Sequence, residues 1–115
     1  MTPTETAQRY VELFNANRMG DMGRLFAEDG LWVPPNGTPP TRGREAIIAG
    51  YEALTEQVAS MTFTQVRYYQ DGNVAIAEMI SMSPNGPTGR VADVFECNEN
   101  GEILRMTGYS GPAPM

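Results

Sequence analysis

The chain has 115 residues, enough for one domain over residues 1–115, and its 14 acidic and 8 basic residues give a net charge of −6. An acidic protein of this size repels phosphate groups, so we expect neither nucleic acid nor a membrane as a partner. The sequence contains no His and no Lys, which excludes imidazole catalysis, Schiff-base chemistry and His-containing metal sites. We therefore expect no bound metal, and proton transfer must use carboxyl groups, phenols, one thiol or water.

The single cysteine and the lack of long apolar segments bear on where the protein works. Cys97 cannot form a disulfide within the chain, so no oxidising compartment is implied. No apolar run approaches the roughly 20 residues of a transmembrane helix, and the N-terminal segment lacks the features of a signal peptide. These features favour a cytoplasmic protein in which Cys97 is a small buried apolar side chain.

The N-terminal half has the pattern of helices. Thr2, Pro3 and Glu5 form a helix start with a capping hydroxyl, a proline at the first position and a capping-box acid. Apolar residues then recur at three- and four-residue spacing to near Asn17, which predicts the first helix. The pattern predicts three further elements in this half: a short helix over 21–26, a strand over 31–33 and a helix over 44–58. Four prolines between residues 34 and 40 exclude regular structure in that segment.

From residue 61 the apolar pattern changes to a period of two, which is typical of strands. Strands are predicted over 61–69, 74–83, 90–97 and 102–109, with a hairpin turn at 70–73. Helices followed by an antiparallel meander predict an α+β fold, in which three N-terminal helices cover the concave face of a cone-shaped curved sheet. The open mouth of such a cone can hold a small apolar ligand.

Two carboxyl groups are predicted to lie on apolar strand faces. In the strand over 74–83 the even-numbered side chains are the larger and more apolar, so we expect this set to face the core. Its members are Val74, Ile76, Glu78, Ile80 and Met82. In the next strand Asp93 shares an apolar face with Phe95. Burial of a bare carboxylate is costly, so each group is a candidate acid or base, or else a structural partner of an arginine or a tyrosine hydroxyl.

Several segments resemble Δ5-3-ketosteroid isomerases, and the similarity covers nearly the whole chain. They are residues 8–15 (QRYVELFN), 25–30 (LFAEDG), 37–47 (GTPPTRGREAI), 93–95 (DVF) and 99–103 (ENGEI). The Gly-Arg-Glu helix start and the Phe-Ala-Glu-Asp turn are shared by the wider nuclear-transport-factor-2-like (SnoaL-like) superfamily. These two motifs therefore identify the fold more securely than the reaction.

The resemblance implies roles for individual residues. Tyr10 is similar in place to the oxyanion-hole tyrosine, and Asp93 to the aspartic acid that stays protonated and donates to the same oxygen. Tyr51 is similar to a supporting tyrosine; the alternative for both tyrosines is a role as core aromatics. The general base of the family falls at Pro34, which has no proton to exchange. Glu78 is then the remaining candidate base, because burial raises the pKa of a carboxyl toward neutrality.

The implied function is that of a cofactor-independent isomerase. It would move a proton and a double bond next to the carbonyl of a steroid or similar fused-ring ketone, through an enolate held by Tyr10 and protonated Asp93. The side chains expected to contact this small apolar ligand are Phe14, Trp32, Pro34, Ile76, Ile80, Met82, Phe95 and Met106. The resemblance also implies a homodimer that pairs through the outer sheet face.

Two alternatives stay open. A non-catalytic apolar-ligand-binding protein is favoured by Pro34 at the position of the base. A polyketide cyclase or an epoxide hydrolase would keep the fold and change the reaction, and epoxide opening of the related kind needs an arginine between two acids.

Overall fold

The computed structural model describes residues 1–114, which form three helices and six strands. The helices span Pro3–Asn15 (α1), Met19–Gly23 (α2) and Arg44–Glu52 (α3). The strands span Phe26–Val33 (β1), Thr41–Arg42 (β2), Thr62–Asp71 (β3), Val74–Ser83 (β4), Gly86–Cys97 (β5) and Ile103–Gly111 (β6). The strands form one curved, unclosed sheet in the order β2-β1-β6-β5-β4-β3. The predicted α+β class, with helices on a curved sheet, is confirmed.

The sheet is mixed, whereas an antiparallel sheet is predicted from the sequence. Strands β3 to β6 form the predicted antiparallel meander, but β1 runs parallel to β6. The meander leaves one edge of β6 free, and the backbone N–H of Ile103 donates to the carbonyl of Leu25 at 3.0 Å as β1 joins that edge. Strand β2 has two residues and pairs only with Leu31 and Trp32 of β1, so it has no periodic signal in the sequence.

Helix α1 starts as its sequence predicts. The Thr2 hydroxyl accepts from the backbone N–H of Glu5 at 3.1 Å, and the Glu5 carboxylate accepts from the backbone N–H of Thr2 at 2.8 Å. The helix packs against β3, β4 and β5 and buries one apolar face on the concave side of the sheet. Its buried residues are Thr6, Ala7, Tyr10, Val11, Leu13 and Phe14.

Several element boundaries differ from the prediction, and β5, for example, begins at Gly86 and not at residue 90. Helix α2 ends at Gly23 and β1 begins at Phe26, so the predicted helix over 21–26 runs into what is strand. Helix α3 ends at Glu52, after which residues 53–60 continue as turns. Several backbone N–H groups there bond carbonyls three residues back, as Leu54 does to Tyr51, in place of the regular α-helical pattern. Within residues 1–114, no helix is both long and apolar enough to cross a membrane.

The orientation predicted for β4 is wrong. The odd-numbered residues Ala75, Ala77, Met79 and Ser81 are the buried ones, and the even-numbered residues face away from the helices. Small alanines face inward because α1 and the Phe95 ring occupy the concave side, whereas the prediction judged the inner face by side-chain size. Glu78 is exposed and accepts a hydrogen bond from the Tyr69 hydroxyl at 3.2 Å. Ile76, Ile80 and Met82 lie half-buried on this same outer face.

Candidate active site

Two buried tyrosines meet between α1 and α3. Tyr10 is 3% exposed and Tyr51 is 2% exposed. Their hydroxyl oxygens lie 2.5 Å apart and share a hydrogen bond. Burial raises the pKa of both phenols well above the ordinary value, so both hydroxyls keep their protons at neutral pH. Either hydroxyl can donate to the other, and when Tyr51 donates, the Tyr10 proton is available to another acceptor.

Aromatic side chains fix the rings of these two tyrosines. The Tyr10 ring lies edge-to-face against Phe95, with centroids 5.0 Å apart. The Tyr51 ring is stacked on Trp32, with centroids 4.1 Å apart and an interplanar angle of 20°. Both contacts have geometries that aromatic pairs favour. The rings are therefore held from the sheet side by β5 and β1.

Asp93 is the buried carboxyl of the described chain. It lies on β5 on the face shared with Phe95 and Cys97, so the orientation predicted for this strand is confirmed. The side chain is 5% exposed and forms no hydrogen bond with any group in residues 1–114. Burial raises the pKa of Asp93 to about 7. This carboxyl can therefore both hold and release a proton near neutral pH.

Asp93 is electrostatically linked to the tyrosine pair. The negative charge of ionised Asp93 adds to burial in raising the pKa of Tyr10 and of Tyr51. The three groups thus share one poorly solvated interior. When protonated, Asp93 has one O–H to donate and, like Tyr10, lacks a carbonyl partner for it within the described residues.

Gly108 and Pro35 pack beside the Asp93 carboxyl. Gly108 of β6 lies directly across from Asp93, and a Cβ placed at Gly108 would lie 3.3 Å from Asp93 Oδ1 and 3.0 Å from Pro35 Cδ. Pro35 follows Pro34 at the end of β1, and both prolines are half-buried. Neither Gly108 nor Pro35 is singled out by the sequence, because their contact joins segments that are distant along the chain.

The residues expected to contact a ligand divide between the two sides of the sheet. Phe14, Phe95 and Met106 are buried in the core. Phe14 is stacked on Phe63 with centroids 4.0 Å apart, whereas Trp32 and Pro34 are half-buried near Tyr51 and Pro35. As described for β4, Ile76, Ile80, Met82 and the candidate base Glu78 lie on the outer face, so these four do not share an interior with Tyr10.

Two cavities lie away from the buried carboxyl and the tyrosine pair. One, of about 650 Å³, lies on the outer sheet face and is lined by Arg67, Glu78 and Arg90 among others. Another, of about 730 Å³, lies by the N-terminus and reaches Cys97. Neither is lined by Tyr10, Tyr51 or Asp93. Residues 1–114 contain no group of three acidic, cysteine or histidine side chains placed to hold a metal ion.

Comparison with known families gives the class of the protein. Residues 7–106 match the family described as the SnoaL-like domain. This match covers most of the chain and includes Tyr10, Tyr51 and Asp93. The chain belongs to the SnoaL-like family, whose fold is the nuclear-transport-factor-2-like arrangement described above.

Solved structures with the same fold include a protein of this family. A SnoaL-like protein from Agrobacterium tumefaciens, proposed to be an isomerase, is 24% identical with a TM-score of 0.76, over 96% of this chain and 99% of that chain. A protein from Sphaerobacter thermophilus is 23% identical with a TM-score of 0.74, over 92% and 93%. The epoxide hydrolase/cyclase-like enzyme SalBIII, of pyran ring formation in the polyether salinomycin, is 20% identical with a TM-score of 0.74, over 95% and 90%. At these identities the likeness establishes the fold.

Proposed function

We propose that this chain is an isomerase of the ketosteroid isomerase type. It binds a steroid or another fused-ring ketone with the ketone oxygen between the Tyr10 hydroxyl and the protonated Asp93 carboxyl. Water takes the proton from the carbon next to the carbonyl, which forms an enolate whose negative oxygen these two donors stabilise, and a proton then returns at the far carbon of the double bond. Preorganised donors in a poorly solvated site are a large contribution to catalysis of this kind. No cofactor takes part in this chemistry.

The observation that carries the proposal is the state of the two donors. Tyr10 has its hydroxyl oxygen bonded to Tyr51 at 2.5 Å, and Asp93 has a pKa raised by burial to about 7 with no hydrogen-bond partner in residues 1–114. The Asp93 carboxyl oxygens are not fully buried, because the fully buried side-chain oxygen without a partner in residues 1–114 is Asn17 Oδ1. A ligand oxygen can therefore reach this carboxyl and accept a hydrogen bond from it when it is protonated. The SnoaL-like relative proposed to be an isomerase agrees with this reaction class.

The proposed site has two donors but no dedicated base. Asp93 is the one buried carboxyl among residues 1–114, and Glu78 is exposed on the opposite face of the sheet. Pro34, at the position expected for the base, cannot accept a proton. A positioned general base contributes roughly 10²–10⁴ in rate, so we expect turnover to be slow.

The second candidate function is a carrier of planar apolar ligands. The same missing base favours it, because a site with donors alone binds an enolate-like ligand without converting it. An epoxide hydrolase is less favoured, because Arg67 and Arg90 are exposed on the outer face and no arginine is buried beside Asp93 within residues 1–114.

Turnover of a β,γ-unsaturated steroid ketone, followed by the ultraviolet absorbance of the conjugated product, separates the two candidates. An isomerase gives a rate above buffer that falls strongly in Tyr10→Phe and in Asp93→Leu. Binding of the steroid with a rate equal to that of buffer would instead support the carrier.

A homodimer is the assembly that we propose. The outer sheet face carries a continuous apolar row in which Tyr69, Ile76 and Val94 stand side by side on β3, β4 and β5. Tyr109 of β6 is 58% exposed on the same face. Exposed apolar patches of this kind mark interaction surfaces. Sedimentation equilibrium tests this: a dimer has twice the 12.6 kDa mass of the chain, and Ile80→Glu should convert it to monomer.

A further inference from the structure

Trp32 contacts the supporting member of the tyrosine pair. Its ring is stacked on Tyr51 with centroids 4.1 Å apart and an interplanar angle of 20°. Phe26 lies near the Tyr51 ring in a tilted arrangement with centroids 6.3 Å apart. A tyrosine ring that is stacked over one face has little freedom to swing about its Cα–Cβ bond. The position of the Tyr51 hydroxyl, 2.5 Å from that of Tyr10, therefore depends on where the Trp32 ring sits.

The Trp32 ring packs against a glycine of helix α3. Gly50 lies inside α3, next to Tyr51, and a Cβ added there would lie 3.0 Å from Trp32 Cζ3. Glycine is among the least favourable residues inside a helix, so its presence calls for a packing reason. The close approach of the indole ring supplies that reason. Two elements, β1 and α3, are thus shaped to hold one ring against another.

Strand β1 also leads to the other donor. Its end passes from Trp32 through Val33 and Pro34 to Pro35, which lies 3.0 Å from the position of a Gly108 Cβ, beside Asp93. One short stretch of chain therefore contacts the surroundings of both proposed donors. A displacement of Trp32 would move the tyrosine pair more than the Asp93 carboxyl, because Trp32 is stacked directly on Tyr51.

We propose that Trp32, seated on Gly50, is a positioning residue that aligns the Tyr10–Tyr51 hydroxyl pair for recognition of a ligand oxygen. The proposal rests on the proposed function, since it assumes that Tyr10 donates to that oxygen. Trp32 acts through Tyr51: the stacked ring fixes the Tyr51 hydroxyl, this hydroxyl bonds the Tyr10 oxygen, and the Tyr10 proton is thereby directed toward the ligand.

The test compares two ligands that differ only in a hydroxyl group. Affinities of 2-naphthol and naphthalene are measured by calorimetry at pH 6 for the wild type, Trp32→Leu and Trp32→Phe. Trp32 is also an expected ligand contact, so both ligands lose the same apolar contact in Trp32→Leu. Loss of positioning should weaken 2-naphthol about tenfold more than naphthalene, which is the effect of one misaligned hydrogen bond. Trp32→Phe keeps an aromatic face and should recover most of the 2-naphthol affinity. Thermal unfolding of each variant checks that it is folded.

Gly50→Ala gives a second route that keeps the tryptophan. The added Cβ pushes the indole ring, so we expect weaker 2-naphthol binding, unchanged naphthalene binding and greater acrylamide quenching of Trp32, the single tryptophan of the chain. Equal weakening of both ligands, or no loss of 2-naphthol affinity in either Trp32→Leu or Gly50→Ala, would overturn the positioning role alone. A wild type that binds 2-naphthol no better than naphthalene would overturn the proposed function, and the positioning role with it.

Discussion

Asp93 of β5 faces Gly108 of β6 across the antiparallel ladder, and the Asp93 carboxyl occupies space that a side chain at position 108 would otherwise fill. Asp93 Oδ1 would be 3.3 Å from a Cβ at that position, and Pro35 Cδ would be 3.0 Å from it. The carboxyl is thus enclosed between two strands and a proline without receiving a hydrogen bond from residues 1–114. This enclosure is the physical origin of its raised pKa.

Gly108→Ala should destabilise the protein, because the added methyl group must displace either Pro35 or the carboxyl. Overpacking of this kind costs about 1–3 kcal/mol. Gly111→Ala on the same strand is the matched control, since a Cβ there meets nothing within 4 Å. Urea unfolding of the two variants measures the difference, and equal stabilities would mean that the space beside Asp93 is not tightly closed.

Asp93→Asn should change how stability depends on pH. In the unfolded chain Asp93 loses its proton near its ordinary pKa of 3.8, whereas the folded protein keeps it up to about pH 7. The folded state binds more protons between these values, so Asp93 lowers the free energy of unfolding as pH rises through this window, by about 1.4 kcal/mol per pH unit. This destabilisation by Asp93 is absent at pH values below the window and constant at pH values above it.

The measurement is the free energy of unfolding of the wild type and Asp93→Asn at several pH values from 4 to 8. The free energy of unfolding of Asp93→Asn should exceed that of the wild type by an amount that grows up to about pH 7 and then stays constant. A carboxyl infrared band that disappears on mutation should titrate in the same range. Parallel stability curves, or a band that titrates near pH 4, would show that Asp93 ionises normally.

The sequence predicts the fold class because local signals agree with it. The capping box at Thr2 and Glu5, and the change of apolar period after residue 61, correspond to α1 and to the start of the meander. The orientation of β5, with Asp93 and Phe95 inward, is also readable from alternation. The parallel pairing of β1 with β6 is not, because it depends on which sheet edge is free after the meander has formed.

The site is predictable only in part. Alternation predicts the buried position of Asp93, and the family resemblance proposes its role and that of Tyr10. The predicted orientation of β4 is wrong because large side chains do not mark the core in this strand. The inner face of β4 needs small residues, Ala75 and Ala77, where α1 packs closely, so the larger side chains and Glu78 face outward. Gly50 and Gly108 act by leaving space for Trp32 and Asp93, and a glycine carries no sequence signal of what approaches it.

Tyr10→Phe should weaken binding of 2-naphthol more than Tyr51→Phe does. Tyr10 is proposed to donate to the ligand oxygen directly, and loss of a hydrogen bond to a charged group costs about 1.5–3 kcal/mol. Tyr51 only supports Tyr10 through the hydroxyl contact at 2.5 Å. Calorimetric titration at pH 6 gives the 2-naphthol affinities of both variants. Equal losses of affinity would contradict the proposal that Tyr10 donates to the ligand and Tyr51 only supports it.

Pro34→Asp should raise kcat for isomerisation of a β,γ-unsaturated steroid ketone about 10²–10⁴-fold with little change in KM, because it supplies the missing base. Glu78→Gln is the matched control on the outer face and should leave the rate unchanged. The conjugated product is followed by ultraviolet absorbance. A Pro34→Asp variant that folds and binds the steroid but gains no rate would argue against a lost base.

The most direct test of the central claim, that Tyr10 and Asp93 hold a negative oxygen, is the ultraviolet spectrum of bound 2-naphthol. At pH 6 free 2-naphthol is neutral, and Asp93, with its pKa of about 7, is mostly protonated. If Tyr10 and Asp93 hold a negative oxygen, the bound naphthol shifts toward the spectrum of its anion in the wild type, and this shift is lost in Tyr10→Phe. A neutral spectrum in the bound wild type, or the same shift in Tyr10→Phe, would contradict this claim.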